Sequence, residues 1–327
     1  MSSPAENLPS WADLPYKPGE PKGSAWGLWG DADELGTLNL LTPSRRKAAA
    51  RLVRQGKSFG LSLPLNRQPS DSFFNRPVAE HKIIKKGYPA FDDHLVMNTQ
   101  SSTHWDGLRH FAHMAGRDPM EPRFYNGVSA DEFVGPQATD RLGMQNYARE
   151  GIVGRGVLLD YKGWCDKQGT GGFRGTGDER SVTADELQRV AESQGTTFQT
   201  GDILLVRFGW TAGYLKTGTI QKQAWTAQGP NVQLVGLANE ERSLEWLWDN
   251  HFAAVASDAP TFESWPTKTK LHETILSLWG CPIGEFFNLE ALAEDCRKDG
   301  VYEFLFTSAP IHIVGGVAGP ANPLAIK

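Results

Sequence analysis

The 327-residue chain is long enough to bury one large core or two smaller ones, and its 39% hydrophobic and 22% charged content excludes wholesale disorder. A net charge of −5 without any Lys/Arg run argues against nucleic-acid or acidic-membrane partners. No stretch approaches the roughly 18 apolar residues that span a bilayer, and the first residues lack the charged-then-apolar order of a secretory leader. Three scattered cysteines, Cys165, Cys281 and Cys296, suit neither a disulfide framework nor a cysteine zinc site. A reducing, cytoplasmic setting is the expectation.

Residues 1–24 carry five prolines and read as an extended arm, disordered or laid over a neighbouring subunit. Thr42-Pro43 then opens a helix, with Thr as N-cap and Pro at the first helical position, that Gly56 closes. Ser58–Leu65 alternates as a strand does. A polar loop, Asp71–Pro77, contains Phe73 and Phe74, and His94–Thr99 reads as a short strand. Gly156–Tyr161 is an apolar run of the buried-strand kind, and Lys162–Arg180 reads as a glycine-rich flexible loop. Thr183-Ala-Asp-Glu186 is a capping box opening a helix that Gly195 ends. Asp202–Phe208 predicts a second buried strand.

Downstream, Asn239–His251 places Leu244, Leu247, Trp248 and His251 on one helical face. Ala253–Ser257 predicts a strand, Lys270–Trp279 a helix, Asn288–Asp295 a short helix and Tyr302–Thr307 a strand. Strands alternating with helices indicate an α/β fold: a single domain, residues 25–327, in which helices pack a mixed β-sheet. No internal repeat interrupts it.

The chemistry concentrates in Gln100-Ser-Ser-Thr-His-Trp-Asp-Gly-Leu-Arg-His110. Neutral imidazole and carboxylate both ligate Zn²⁺ or Mn²⁺. On an extended segment, residues i and i+2 face the same way, so His104 and Asp106 can grip one ion. His110 lies four residues further, where a general acid/base beside a metal would sit. So short a pattern also arises by chance in about half of cases. His272, in a helical stretch, reads more readily as a packed or solvent-facing histidine. Glu285 follows Cys-Pro-Ile-Gly and precedes Phe-Phe, and a carboxylate among apolar residues is costly to bury unless paired or metal-bound. Gly56-Lys-Ser-Phe-Gly60 matches G-x-S-x-G, but a helix precedes it and a strand follows, the reverse of a nucleophile elbow. The glycines around Gly169–Gly175 do not keep G-x-G-x-x-G spacing. His81, His94, His113 and His312 read as structural or surface residues, His113 being the nearest to an exception.

With these segments in view, the chain resembles the cyclase family that includes bacterial kynurenine formamidase and isatin hydrolase, from Trp26 to about Ala325. The strings that carry the resemblance are Trp29-Gly-Asp-Ala-Asp-Glu-Leu-Gly-Thr-Leu-Asn39, Thr103-His-Trp-Asp106 with His110, Gly154-Arg-Gly-Val-Leu-Leu-Asp160, Gly201-Asp-Ile-Leu-Leu-Val-Arg207, and Leu271-His272 leading to Glu285 and Asn288-Leu289. The resemblance implies a swivelling β/β/α fold and a core motif H-x-G-T-H-x-D-x-P-x-H, in which two histidines and the aspartate ligate metal and the last histidine is catalytic. Carried over, His104 and Asp106 match ligands, His110 the catalytic histidine, and His272 and Glu285 the distal pair of a one- or two-metal centre. Gln100 stands where the first ligand histidine is expected, Ser102 replaces the glycine, and Gly107-Leu108-Arg109 replaces the small-residue and proline stretch. The amide oxygen of Gln is a weaker donor, which leaves the first metal position open, and the metal is Mn²⁺ or Zn²⁺.

The expected activity is hydrolysis of a small cyclic amide, formamide-like amide or lactone. Its alternatives are a lyase, dehydratase or cyclase acting on a natural product, or a metal-free binding protein that kept the fold. Trp105, Phe111, Phe73 and Phe74 would supply a pocket for a flat substrate, and Arg109 could meet a carboxylate on it. The aromatic residues of the arm, Trp11 and Tyr16, suggest docking on a second subunit in a homodimer or homotetramer.

Overall fold

The computed structural model describes residues 7–66, 73–115, 121–169, 180–267 and 271–327. Nine strands, numbered in chain order, build the main sheet: β1 (Ser58–Gly60), β2 (His104–Asp106), β3 (Ile152–Leu159), β4 (Ile203–Val206), β5 (Ala254–Ser257), β6 (Ile283–Glu285), β7 (Glu303–Ser308), β8 (Ala318–Pro320) and β9 (Pro323–Ile326). Their spatial order is β1-β9-β7-β3-β4-β5-β6-β2-β8. Neighbours from β3 to β6 run parallel, and every other pair is antiparallel. The parallel centre is covered on both faces, so its strands are unbroken apolar runs: every residue of β4 and β5 is buried.

The strand order has a geometric consequence. β8 forms one edge of the sheet and β9 lies one strand from the other edge, yet only Ala321 and Asn322 separate them in sequence. The three links from Pro320 to Pro323 span no more than about 11 Å, so the sheet rolls until its edges approach. Contacts across the seam agree. Asn288 N–H donates to the Leu61 carbonyl, Leu63 N–H to Thr103 Oγ1, and Leu61 N–H to the Pro323 carbonyl. Inside the roll, Trp105 of β2 packs edge-on against Phe287 at 5.2 Å and Phe306 of β7 at 6.2 Å.

Local chemistry sets several boundaries as the sequence suggests. Thr42 Oγ1 accepts from Arg45 N–H at the start of the helix Pro43–Ala50. The Thr183/Glu186 capping box opens the helix Ala184–Gln194, which ends on Gly195 in the left-handed conformation. The string around Asp33 is a clamp: its Oδ2 accepts from Gly36 N–H at 2.7 Å and Tyr125 O–H at 3.0 Å, and its Oδ1 accepts from Asn39 Nδ2 at 2.7 Å. Gly36, at φ 56, must be glycine, because a Cβ there would lie 2.0 Å from the Gly280 carbonyl oxygen.

Other expectations need correction. The first helix stops at Ala50, well before Gly56. Ser58–Leu65 is a strand only to Gly60, after which it crosses to bridge Phe287 through Ser62. Lys162–Gln168 is helical, because Asp160 caps it by accepting from Gly163 N–H at 3.0 Å. The rest of the glycine-rich stretch, residues 170–179, lies outside the described residues, as do residues 67–72 and 268–270. The helix Glu241–Asp249 ends before His251, which sits at φ 50. His94–Val96 closes an exposed hairpin, Glu80–Gly87 with Ala90–Val96, whose first strand the sequence did not reveal. All three cysteines are free and buried, and no helix among the described residues is long and apolar enough to cross a membrane.

From residue 7 on, the arm packs against its own chain. Trp11 N–H donates to Asp249, its ring meets Trp279 edge-on at 5.9 Å, Trp248 Nε1 donates to the Pro9 carbonyl, and Trp279 Nε1 donates to the Gly23 carbonyl. The aromatic groups offered for a subunit interface are thus largely satisfied within the chain, and Tyr16 alone stays exposed among them.

Gly284 of β6 faces Trp105 across the β6–β2 ladder, and a Cβ there would lie 2.7 Å from Ala256 Cβ and 2.9 Å from the Trp105 ring. Gly284→Ala is expected to destabilise the fold by about 1–3 kcal/mol through overpacking, read as a lower urea midpoint.

Candidate metal centre and pocket

β2 alternates, sending Trp105 into the roll and His104 and Asp106 to the other face. Antiparallel pairing with β6 sets Glu285 directly opposite His104. Phe286 follows in the left-handed region at φ 58, a conformation that costs a bulky residue roughly 1 kcal/mol or more, and its backbone N–H is held by the Ala259 carbonyl. His104 Nδ1 donates to the Ser102 carbonyl at 2.7 Å. A carbonyl only accepts, so this bond orients the ring and turns Nε2 toward the carboxylates, 3.3 Å from Asp106 Oδ1 and 3.3 Å from Glu285 Oε2.

His272 completes the cluster from the start of a helix, Leu271–Glu273, that continues as a π-helical segment, Thr274–Leu278. Such widened turns recur at functional sites. Its Nε2 lies 3.2 Å from Asp106 Oδ2 and its Nδ1 3.0 Å from Glu263 Oε2. Glu263 was not foreseen. The signal was there, a carboxylate between Phe262 and Trp265, the same apolar setting that drew attention to Glu285. Gln100 Nε2 donates to Asp106 Oδ1 at 2.7 Å, and His110 Nε2 stands 3.8 Å from that oxygen. Gln100 therefore presents its amide nitrogen to Asp106 and orients the carboxylate.

Electrostatics follow from burial and these contacts. Burial alone would depress His104, but Asp106 and Glu285 outweigh it and push its pKa up to about 9. His272 likewise rises well above the imidazole range because Glu263 and Asp106 overcome burial. Burial raises Glu285, and the Asp106 charge adds to it. Burial would raise Asp106 too, but the surrounding histidines hold it well below the usual carboxylate value. His110 is pushed down to about 4, chiefly by burial, with Asp106 opposing and the charges of His272 and Arg76 adding to the fall.

The cluster opens on a cavity of about 550 Å³ lined by Phe74, Arg76, His110, Phe111, Trp265 and His272, with Glu285 also reaching it. Three expected pocket residues lie elsewhere. Trp105 is fully buried on the opposite face, where its Nε1 donates to Ser308 Oγ. Phe73 is buried against Trp210 and Phe286, and its neighbour Phe74 takes the pocket position. Arg109 is a structural staple, donating to the carbonyls of Thr139, Arg141 and Gly315 with its guanidinium 4.4 Å from the Phe133 ring centroid. Phe111 does line the cavity. Away from it, His113 Nδ1 pairs with Glu273 at 2.5 Å.

Among the described residues two groups of side chains could each hold a cation, Asp106 with His110 and His272, and His104 with Asp106 and Glu285, their ligand atoms within 4.8 Å of one another in each group. In the second group, His104 Nε2 and Glu285 Oε1 are buried atoms without a hydrogen-bond partner. Buried polar atoms are nearly always satisfied, and an imidazole nitrogen among carboxylate oxygens becomes, once its proton is displaced, a donor set for a divalent ion.

The sequence profile of the cyclase family matches residues 37–264. The chain belongs to that family. A crystal structure of a novel cyclase is 30% identical and superposes with a TM-score of 0.80, the match covering 93% of this chain and 99% of that one. Isatin hydrolase A from Ralstonia solanacearum is 16% identical, with a TM-score of 0.55 over 87% of this chain and 97% of that one. An isatin hydrolase bound to the product analogue thioisatinate is 17% identical, with a TM-score of 0.51 over 88% and 97%. At these identities the hydrolases share the fold. No curated protein sequence matches the chain.

Because Arg109 satisfies three carbonyls and does not line the cavity, Arg109→Ala is expected to lower unfolding free energy by about 3 kcal/mol. Urea denaturation checks the loss. Ligand affinity at the cavity, measured below the unfolding range, should stay unchanged.

Proposed function

We propose that the protein is a metal-dependent hydrolase of a small cyclic amide, a formamide-like amide or a lactone. The observation that carries this reading is the pair of unpartnered buried atoms, His104 Nε2 and Glu285 Oε1, converging with Asp106 beside a cavity. His104, Asp106 and Glu285 would hold a divalent ion, Mn²⁺ or Zn²⁺, with His272 on the far side of Asp106. Such an ion supplies Lewis acidity toward a carbonyl and acidifies water.

The chain's own residues do the rest. Glu263 fixes the ring of His272 and Gln100 fixes the Asp106 carboxylate, so the donor set is held before substrate arrives. His110 is partly exposed on the cavity wall and neutral near pH 7, since burial depresses it to about 4. It can take a proton from the attacking water and pass it to the leaving nitrogen or oxygen. Phe74, Trp265 and Phe111 wall the cavity and suit a flat substrate while thinning the water around the carbonyl.

A homodimer or homotetramer in the cytoplasm belongs to the same reading. Its support is the hairpin Glu80–Gly87 with Ala90–Val96, on which Ile83, Phe91 and Val96 are 69%, 60% and 63% exposed, because a lone two-stranded hairpin is marginal in water. Light scattering at micromolar concentration is expected to give a multiple of the chain mass, and a monomer would reject the assembly.

Substitution separates holding the ion from using it. Elemental analysis of His104→Ala should show loss of bound metal, and full stoichiometric metal there would remove this site. His110→Ala should keep its metal while turnover falls by roughly 10²–10⁴. Loss of metal from that variant would make His110 a ligand in the Asp106–His272 group instead.

A further inference from the structure

Arg76 has no role in the reading above, yet it lines the cavity beside His110, Phe111 and Trp265. Its neighbours Phe74 and Asn75 both sit at positive φ, 59° and 58°. Phenylalanine rarely adopts that region, and strain of this kind concentrates where a side chain must be aimed. The turn sets the Phe74 ring edge-on to Trp265 at 5.5 Å and brings the Arg76 guanidinium 5.5 Å from the Phe74 centroid.

Other buried or half-buried arginines are spoken for. Arg207 pairs with Asp160 and Glu290, Arg155 with Asp202, and Arg109 with three carbonyls. Arg76 differs. Its Nη1 donates to the Gln100 carbonyl at 3.1 Å, and among the described residues no carboxylate pairs with it. Among the described residues that is the guanidinium's one hydrogen bond, made at Nη1, and the Nε–Nη2 edge of an arginine is the edge that grips a carboxylate side-on through two parallel hydrogen bonds. The anchor is also a link to the cluster, because the amide of the same Gln100 donates to Asp106.

We propose that Arg76 is the specificity-determining residue of the cavity, an anion subsite that selects flat aryl amides or lactones carrying a carboxylate. The carboxylate pairs with Arg76, the ring lies among Phe74, Trp265 and Phe111, and the scissile carbonyl faces His104 and Asp106. The substrate class rests on the hydrolase reading, whereas the anion subsite does not.

Benzoate and benzamide share a ring and differ in charge, so their dissociation constants on the metal-loaded protein, from ligand-observed NMR titration, test the subsite directly. Wild type should bind benzoate at least about tenfold more tightly than benzamide, the worth of a charge-assisted pair. Arg76→Ala should abolish that preference and leave benzamide within about twofold. Arg76→Gln keeps a donor for the Gln100 carbonyl without the charge. It should lose the preference too, and it decides the matter if Arg76→Ala weakens both probes. A preference that survives in Arg76→Gln, or is missing in wild type, overturns the proposal, since the carboxylate is then held elsewhere or not at all. Hydrolysis of formanilide and 2-formamidobenzoate reads the other premise. If neither is cleaved while benzoate binding depends on Arg76, the hydrolase reading falls and the subsite stands. Cleavage of both with equal kcat/KM overturns the role of Arg76 in selection.

Discussion

The antiparallel ladder between β2 and β6 is the constraint on which the site depends. Its register puts Glu285 opposite His104 and Gly284 opposite Trp105. The face with Trp105 and Gly284 therefore belongs to the interior of the roll, while the other carries His104, Asp106 and Glu285, with Ile283 opposite Asp106. A one-residue slip would drive Trp105 into the cavity and His104 and Asp106 into the core, so the register is specified from both faces at once. Gly284 tightens the specification, because only a hydrogen there lets the two strands close over the tryptophan. The ladder also joins the parallel centre of the sheet to its antiparallel flank, bringing segments of distant sequence together without a loop to carry them.

Much of the fold could be read from sequence because local chemistry decides it. The caps Thr42 and Thr183, the terminating Gly195 and the apolar runs of β3, β4 and β5 act over a few residues. Strands β2, β6, β8 and β9 are three or four residues long, too short for a periodicity to register, and exist because of partners far away in sequence. At the site, residue types and spacing brought His104, Asp106, His110, His272 and Glu285 into consideration, the family resemblance added Gln100, and the structure gathers them. What spacing could not convey was direction. Trp105 and Arg109 are interleaved with functional residues but point elsewhere, Trp105 by strand alternation and Arg109 through the Thr139, Arg141 and Gly315 carbonyls. Of the adjacent Phe73 and Phe74, only Phe74, at positive φ, reaches the cavity. Glu263 and Arg76 reach the site through tertiary folding alone.

The cluster is a mutually dependent set of charges. Three carboxylates, Asp106, Glu263 and Glu285, are buried within reach of three histidines, and no member is satisfied by solvent alone. Groups of this kind are costly to desolvate and costlier to leave half-paired. Gln100 contributes without adding charge, since its amide steadies Asp106 in a place where a further imidazole would enlarge the positive side of the balance. The Asp33 clamp works in the same manner at a distance. It ties the segment before the first helix to Tyr125, while Gly36 seats against Gly280 just past the π-helical segment that carries the cluster's His272 onward.

The rolled sheet bears on the order in which the protein can acquire its structure during synthesis. β2 leaves the ribosome roughly in the first third of the chain, but its two ladder partners, β6 and β8, lie near the other end, and β9, which closes the opposite flank, follows β8 after two residues. Until those strands emerge, His104 and Asp106 sit on a strand with no neighbours on either side. The nascent chain must hold an exposed, unpaired edge for most of its translation, the condition under which strands pair wrongly with other chains. Translation pauses or chaperone occupancy should therefore matter most over the final fifty residues, where the roll can first close.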